Sequence, residues 1–114
     1  MASPADDQAA LREKNGLAWL ARGSLLLGDL AKAERHAADV RARAIKLLGT
    51  SRDVTTAPDT EIPLGASIEV EAQRLERTQG KSAAVKYLER EIATFTGPTG
   101  FRSRLQKRLA MLTW

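Results

Sequence analysis

The side chains best suited to acid–base chemistry in this sequence are a few neighbouring carboxylates and one histidine. The neighbouring carboxylates are Asp6 with Asp7, Glu69 with Glu71, and Glu89 with Glu91. Two carboxylates act as an acid and a base only when both reach the same reacting group. Residues two apart on a helix point to different sides, so neither glutamate pair forms such a site. His36 has no nucleophile beside it, and we interpret it as an exposed or boundary histidine.

The sequence also lacks the residues for most other catalytic and metal-binding chemistry. It contains no cysteine, which excludes disulfides, thiolate nucleophiles, iron–sulfur clusters and thiolate zinc sites. A single histidine excludes a histidine metal cluster within one chain. The glycines of residues 97–100 do not predict a phosphate loop, because Pro98 removes an amide donor. We therefore predict no enzyme activity, no metal site and no cofactor.

The excess positive charge lies entirely at the end of the chain. The formal net charge is +4, from 18 basic and 14 acidic residues, and the last acid is Glu91. The bases beyond it are Arg102, Arg104, Lys107 and Arg108. Basic residues near a helix C-terminus complement the helix dipole, and a solvated helix face is our first interpretation of them. The alternative is a small nucleic-acid-binding protein that uses these four residues.

Length and composition together predict a single all-α domain. The 114 residues match the usual size of one domain, and the apolar residues are mainly Ala and Leu with only 4% aromatic residues. Good helix formers dominate, and no segment alternates steadily between apolar and polar positions. No apolar run approaches the ~20 residues that span a bilayer, so we expect no membrane-spanning helix.

Turn and cap residues divide the chain into five predicted helices. Gly28 and Gly80 supply the turns of two antiparallel helical hairpins, and Asp29 caps the helix after the first turn. The Gly-Pro pair at 97–98 stops the fourth helix. The polar stretch 50–61 lacks helical periodicity, so we predict a long and mobile loop there. The predicted helices span about 4–27, 30–48, 62–79, 82–96 and 100–112.

Each predicted helix carries one apolar stripe, which a partner helix must cover. Helical hairpins of this kind do not bury their faces alone, so we expect the two hairpins to stack and the last helix to cap them. In the first helix, residues at three- and four-residue spacing form the predicted buried stripe. These residues are Leu17, Leu20, Ser24 and Leu27.

The first predicted hairpin resembles a tetratricopeptide repeat. In that family a large residue beside a small one marks the first helix, a Gly-Asp turn follows, and a small residue five positions after the glycine allows close packing. The residues that match are Leu20, Ala21, Gly28, Asp29 and Ala33. The second hairpin departs from the pattern, because Val85 takes the place of the small residue. Its turn glycine also follows the first by more than the ~34 residues of the family.

The resemblance implies a scaffold that binds peptides or protein partners without catalysis. Its groove would be lined by the first helix of each hairpin, where arginines can pair with carboxylates of an acidic partner segment. The alternative is that each arginine pairs with a glutamate on its own helix. The positions that the resemblance places on the groove are Asn15, Ala18, Arg22, Leu25, Leu26, Ser67, Arg74 and Arg77.

The tail of the sequence, residues 105–113, resembles the helix that precedes thioredoxin-like domains in some bacterial exported redox proteins. That resemblance implies a helical accessory domain of a longer chain, with a following domain as its partner and any redox chemistry outside these residues. Residues 1–4 do not have the pattern of a signal peptide. The sequence leaves a cytoplasmic location open, and an exported one after removal of a leader.

These observations lead to one main functional hypothesis and two alternatives. The main hypothesis is a non-enzymatic module for protein–protein contact, or a spacer between domains. The first alternative is nucleic-acid binding by the basic last helix, whose affinity would fall steeply with salt. The second is an enzyme that acts through carboxylates alone. Homodimerisation through the last helix is compatible with the main hypothesis and with the first alternative.

Overall fold

Five α-helices account for most of the computed structural model, which describes residues 16–113 and the side chains of residues 20–113. The helices, named α1 to α5 in chain order, are Gly16–Leu26, Leu30–Leu48, Glu61–Gln79, Lys81–Thr94 and Thr99–Thr113. Residues 16–113 contain no strand, and their one β-type pairing is an isolated bridge between Asp53 and Thr96. The predicted all-α fold with five helices is confirmed. Residues 4–15 of the predicted first helix lie outside the described residues.

The central helix α3 contacts all four of the others. Helix α1 also packs against α2, and α5 also packs against α4. These contacts arrange the helices in two layers, with α1, α3 and α5 side by side and with α2 and α4 behind them. The first layer therefore has an outer face to which three helices contribute side chains.

Two glycine turns reverse the chain between successive helices. At the first turn Gly28 has φ +82°, a backbone conformation that glycine adopts without a steric penalty. The carboxylate of Asp29 then accepts a hydrogen bond from the backbone amide of Lys32 at 3.1 Å and caps α2, as the sequence predicts. At the second turn Gly80, with φ +97°, is the single residue between α3 and α4.

Two clusters of buried apolar side chains hold the layers together. The smaller cluster joins α1 and α2 to α3 and consists of Ala21, Leu25, Ala33, Ala37 and Val70. The side chains of its three alanines are small, which allows α1 and α2 to approach each other closely. The larger cluster consists of Ala44, Leu48, Val54, Leu64, Ile68, Ala72, Leu88, Phe95, Phe101 and Leu105. Because α3 contributes to both clusters, its position fixes the positions of α1 and α5.

The buried stripe predicted for the first helix is wrong in its register. Leu20 and Leu27 are 53% and 87% exposed, whereas Ala21 and Leu25 are buried. Ser24 is buried as predicted, and the side chain of Leu17 lies outside the described ones. The helix turns its small side chains towards α2 and α3, because small residues permit close helix packing. Leucine spacing alone does not reveal this preference.

The predicted loop 50–61 is anchored to the core instead of being a free polar segment. It contains two short 3-10 helices, Val54–Thr56 and Pro58–Thr60, and its last residue begins α3. Val54 is fully buried in the larger cluster. The Val54 amide donates to the Thr96 carbonyl at 2.8 Å, which ties this segment to the end of α4. A single apolar residue among polar ones gives no periodic signal, so the sequence did not indicate this anchor.

Candidate functional site

The outer face of α1, α3 and α5 forms a groove with α3 as its floor. Arg22, Leu25 and Leu26 of α1 line one side of it, and Arg104 and Arg108 of α5 line the other. The floor between them is formed by Ala66, Glu69, Val70 and Gln73 of α3. We call this surface the α1–α3–α5 groove.

The groove widens beside α5 into a cleft of about 340 Å³, which we call the basic cleft. Its residues are Glu69, Gly100, Ser103, Arg104, Lys107, Arg108 and Met111. Glu69, Arg104 and Arg108 also line the part of the groove beside α1. The basic cleft therefore adjoins the rest of the groove at these three side chains.

One carboxylate holds the two arginines of the basic cleft. Nε of Arg104 donates to Oε1 of Glu69, and Nη2 of Arg108 donates to Oε2 of the same side chain at 3.4 Å. The Glu69 side chain is only 15% exposed, which limits its motion and that of both guanidinium groups. Lys107 makes no ion pair with the side chains of residues 20–113. The cleft thus carries more positive than negative charge even after its internal ion pairs form.

The groove also presents apolar side chains to solvent. Leu26 is 74% exposed and Met111 is 62% exposed. They lie on α1 and α5, on either side of the floor. Both side chains are exposed where a molecule lying along the groove would contact them.

Only some of the residues that the tetratricopeptide-repeat resemblance places on a groove line the α1–α3–α5 groove. Arg22 and Leu26 line the α1–α3–α5 groove, and Leu25 is buried at its edge. Asn15 lies outside the described residues, as does the side chain of Ala18. Of the other three predicted positions, Ser67 is buried, Arg74 is half-buried and Arg77 is exposed, and none of them lines this groove.

Arg74 and Arg77 are committed to contacts within the chain. Arg74 makes two hydrogen bonds to Glu71, at 2.6 and 2.8 Å, and a salt bridge to Glu34 at 3.5 Å. Nη1 of Arg77 donates to the carbonyl of Leu25 at 2.8 Å, near the C-terminus of α1. Arg74 therefore does not line the α1–α3–α5 groove, and local pairing, the alternative from the sequence, describes Arg74 correctly.

The four bases of the last helix do not share one face. Arg104, Lys107 and Arg108 line the basic cleft. Arg102 is exposed, two residues before Arg104, and therefore points to the opposite side of α5. The set predicted for nucleic-acid binding thus divides into three residues on the groove and one away from it.

A second cleft, of about 290 Å³, lies on a different face of α3, between α2 and α4. Glu91 of α4 forms its deepest charged group, with its side chain 2% exposed. Arg41 of α2 donates to both oxygens of Glu91, through Nε at 2.6 Å and Nη2 at 3.0 Å. These hydrogen bonds raise the pKa of Arg41. The guanidinium also lies 5.5 Å from the centre of the Phe95 ring, a cation–π geometry.

The second cleft is a structural ion-pair network and not a binding surface of one charge. The described residues that line it include three carboxylates, Glu34, Glu71 and Glu91, and two guanidinium groups, Arg41 and Arg90. Arg74 pairs with Glu34 and Glu71 and supplies a third positive group. Of these ion pairs, the one between Arg41 and the buried Glu91 links α2 to α4.

Sequence reasoning missed the pair between Glu91 and Arg41. Glu91 follows Ala84 and Leu88 at the spacing of the buried face of α4 and precedes Phe95 on it. A carboxylate at such a position must find a partner, because an isolated buried charge is strongly unfavourable. This interruption of the apolar stripe was the available signal. The partner itself lies fifty residues away and is not visible in the sequence.

Tyr87, which lines the second cleft, gives a spectroscopic test of this network. Burial and the nearby Glu91 carboxylate raise the pKa of Tyr87 well above its usual value. We expect the folded protein to show little phenolate absorbance at about pH 11, whereas the unfolded chain titrates near pH 10. Tyr87 is the only tyrosine, so the ultraviolet titration reports on this side chain alone.

The same shift predicts a dependence of stability on pH. The folded state binds the Tyr87 proton more tightly than the unfolded state does. The resulting contribution to the free energy of unfolding is complete below about pH 10 and is lost as the pH rises above that value. The Tyr87→Phe variant should lose less stability between about pH 9 and pH 11 than the wild type does. Equal losses, or a folded-state titration near pH 10, would contradict the geometry of this cleft.

Two further searches concern metal ions and membranes. Among the described residues no group of three histidine, cysteine or carboxylate side chains is placed to hold a metal ion. None of the described helices is long and apolar enough to cross a bilayer.

Comparisons with known proteins returned no match. No protein-family model fits the chain, no curated protein matches it in sequence, and no solved structure matches it. The resemblances to a tetratricopeptide repeat and to a thioredoxin accessory domain therefore stay predictions.

Proposed function

We propose that this chain is a non-enzymatic protein-interaction module whose α1–α3–α5 groove binds an acidic segment of a protein partner. The observation that carries the proposal is that Arg22, Arg104, Lys107 and Arg108 lie on one surface, where Glu69 is the one carboxylate among the described residues that line it. A ligand that neutralises this surface must bring negative charge. Guanidinium groups bind carboxylates through paired hydrogen bonds, which favours an acidic peptide.

The exposed apolar residues of the groove support a peptide over a simple anion. Leu26 and Met111 are separated by the floor of α3, so an extended or helical segment could contact both while its carboxylates reach the arginines. Burial of apolar surface contributes affinity, and the charged pairs contribute specificity and speed of association. The groove is only three helices wide. We therefore expect an interface at or below ~1,200 Å² and a transient complex.

The arrangement of the helices also supports the proposal. The tetratricopeptide-repeat resemblance implies a groove lined by the first helix of each hairpin, and α1 and α3 are those helices here. The last helix, α5, extends the same face. A spacer or an accessory domain of a longer chain remains compatible with this proposal, because a following domain can supply the acidic segment.

Binding to arrays of short degenerate peptides tests the proposal. One array carries Asp and Glu among apolar residues, and a matched array carries Asn and Gln at the same positions. We expect the protein to prefer the acidic array, with binding that weakens as salt is added. The double variant Arg104→Gln/Arg108→Gln should lose about ten-fold or more in affinity, because hydrogen bonds to charged groups contribute ~1.5–3 kcal/mol each.

Two further variants keep this test independent of folding. Lys107→Gln alters an exposed groove residue that makes no ion pair within the described side chains, so its loss of affinity does not depend on Glu69. Arg102→Gln removes the same charge from the opposite side of α5 and should bind like the wild type. Equal binding to both arrays, or an equal loss in Arg102→Gln, would overturn the proposal. So would tighter binding to a short DNA or RNA than to every acidic peptide.

A further inference from the structure

We propose that the basic cleft is a binding site for a phosphate monoester, such as a phosphorylated serine or threonine, within the acidic partner segment. This inference rests on the proposed function, because it places the phosphate on a peptide that the α1–α3–α5 groove holds. It adds a specific chemistry to one end of that groove. The orientation of the cleft's donors, its charge and its volume each fit a phosphate group.

The donors of the basic cleft are already oriented. Glu69 uses one oxygen for Nε of Arg104 and the other for Nη2 of Arg108. A guanidinium group has five N–H donors, so each arginine keeps several that Glu69 does not use. A ligand that enters the cleft therefore meets two guanidinium groups already held by a carboxylate of the fold. Such preorganisation lowers the entropy cost of binding.

The charge of the basic cleft matches a doubly charged anion. Among the described residues, three cations, Arg104, Lys107 and Arg108, line it together with one carboxylate, Glu69, which leaves two positive charges. A phosphate monoester carries about −1.5 to −2 at neutral pH and has three acceptor oxygens. A carboxylate carries a single charge and would leave one cation of the cleft without a counter-charge.

The basic cleft also has the volume for a phosphate group and further hydrogen-bond donors beside its three cations. Its volume is about 340 Å³, and it is lined by Gly100 from the first turn of α5 and by Ser103 from the second turn. The first turn of a helix is the positive end of its dipole, which adds to the field of the three cations. On α3, Gly65 lies beside Arg104, and a Cβ there would lie 3.4 Å from Nη1, which is ordinary van der Waals contact.

Two features favour a phosphopeptide over a nucleic acid. Arg102 points away from the groove, so the bases of α5 do not form the continuous stripe that a backbone of repeated phosphates requires. The described residues that line the basic cleft include no aromatic side chain, whereas single-stranded nucleic acids stack on aromatic rings. An isolated, doubly charged group fits these features better than a chain of singly charged ones.

Three matched pools of degenerate acidic peptides test the inference. They differ only at one central position, which is serine, phosphoserine or glutamate. We expect the phosphoserine pool to bind about ten-fold more tightly than the serine pool, and also more tightly than the glutamate pool. Lys107→Gln and Arg108→Gln should remove the preference for phosphoserine over glutamate. Arg102→Gln should keep that preference and serves as the matched control.

The outcomes separate this inference from the proposed function. If the glutamate and phosphoserine pools bind equally, the proposed phosphate site is wrong, while the proposal that the groove binds an acidic peptide is unaffected. If none of the pools binds, both are overturned. If a short single-stranded oligonucleotide displaces the phosphoserine pool at lower concentration than phosphoserine peptides do, the cleft is a nucleic-acid site and the inference is wrong.

Discussion

Arg41→Met should lower the free energy of unfolding by about 2–4 kcal/mol, because it leaves the Glu91 carboxylate buried without a counter-charge. The two side chains differ in exposure, at 37% for Arg41 and 2% for Glu91. Solvent near Arg41 screens part of the interaction, so we expect a value towards the lower end of that range. The variant also loses the contact of the guanidinium with the ring of Phe95. Urea unfolding followed by circular dichroism measures the change.

The same exposure difference predicts an asymmetry between the two partners. Glu91→Leu leaves Arg41 unpaired, but the guanidinium can turn towards water, so this variant should be less destabilised than Arg41→Met. The double variant Arg41→Met/Glu91→Leu replaces the pair with apolar side chains and should recover most of the stability, to within about 1 kcal/mol of the wild type. If Arg41→Met unfolds like the wild type, or if the double variant is as unstable as Arg41→Met, Glu91 is not held as described.

Gly80→Ala should destabilise the protein by about 1–3 kcal/mol. Gly80 has φ +97° and ψ 172°, a backbone conformation that is essentially restricted to glycine. It is the single residue between α3 and α4, so the chain has no neighbouring loop residue to absorb the strain. Alanine there either carries the strain or shifts the second hairpin. Thermal unfolding monitored at the helical circular dichroism band measures the effect.

Gly23→Ala is the matched control for this substitution. Gly23 lies inside α1, and a Cβ there meets nothing within 4 Å. Alanine is the better helix former, so this variant should gain up to about 1 kcal/mol. Opposite signs for the same chemical change would identify backbone conformation as the cause. A Gly80→Ala variant as stable as the wild type would contradict the tight turn between α3 and α4.

The features that the sequence predicted well are local ones. The turn at Gly28 and the cap at Asp29 depend on residues within one helical turn of each other, and both appear in the structure. The single-residue turn at Gly80 follows the same logic. Helix propensity, caps and turns act over a few residues, so a single sequence contains their signal. The all-α fold with five helices follows from them.

The features that the sequence missed depend on which helices become neighbours. Leu20 and Leu27 follow helical spacing, yet the packing of α1 buries Ala21 and Leu25 instead. Val54 is buried because the end of α4 lies next to its segment. Pattern and spacing describe one element at a time and cannot choose between two faces of similar hydrophobicity.

The sequence predicted only part of the candidate site, because it does not show which helices become neighbours. Arg22 and Leu26 were placed on a groove, and they line one. Arg104 and Arg108 were interpreted as part of a solvated helix face or, as the alternative, of a nucleic-acid site, because nothing in the sequence puts α5 beside α3. Their shared partner Glu69 is more than thirty residues away. Only the packing of α5 against α3 brings the bases of both ends of the chain to one surface.

The central claim is that a partner peptide lies in the α1–α3–α5 groove, and the most direct test is to locate a bound peptide by NMR. The measurement uses the tightest-binding peptide from the acidic array and protein with labelled methyl groups. We predict nuclear Overhauser contacts from the peptide to Leu26 and Met111 on the two sides of the groove. Contacts to Ala38, which is exposed in the second cleft, with none to Leu26 or Met111, would contradict the claim.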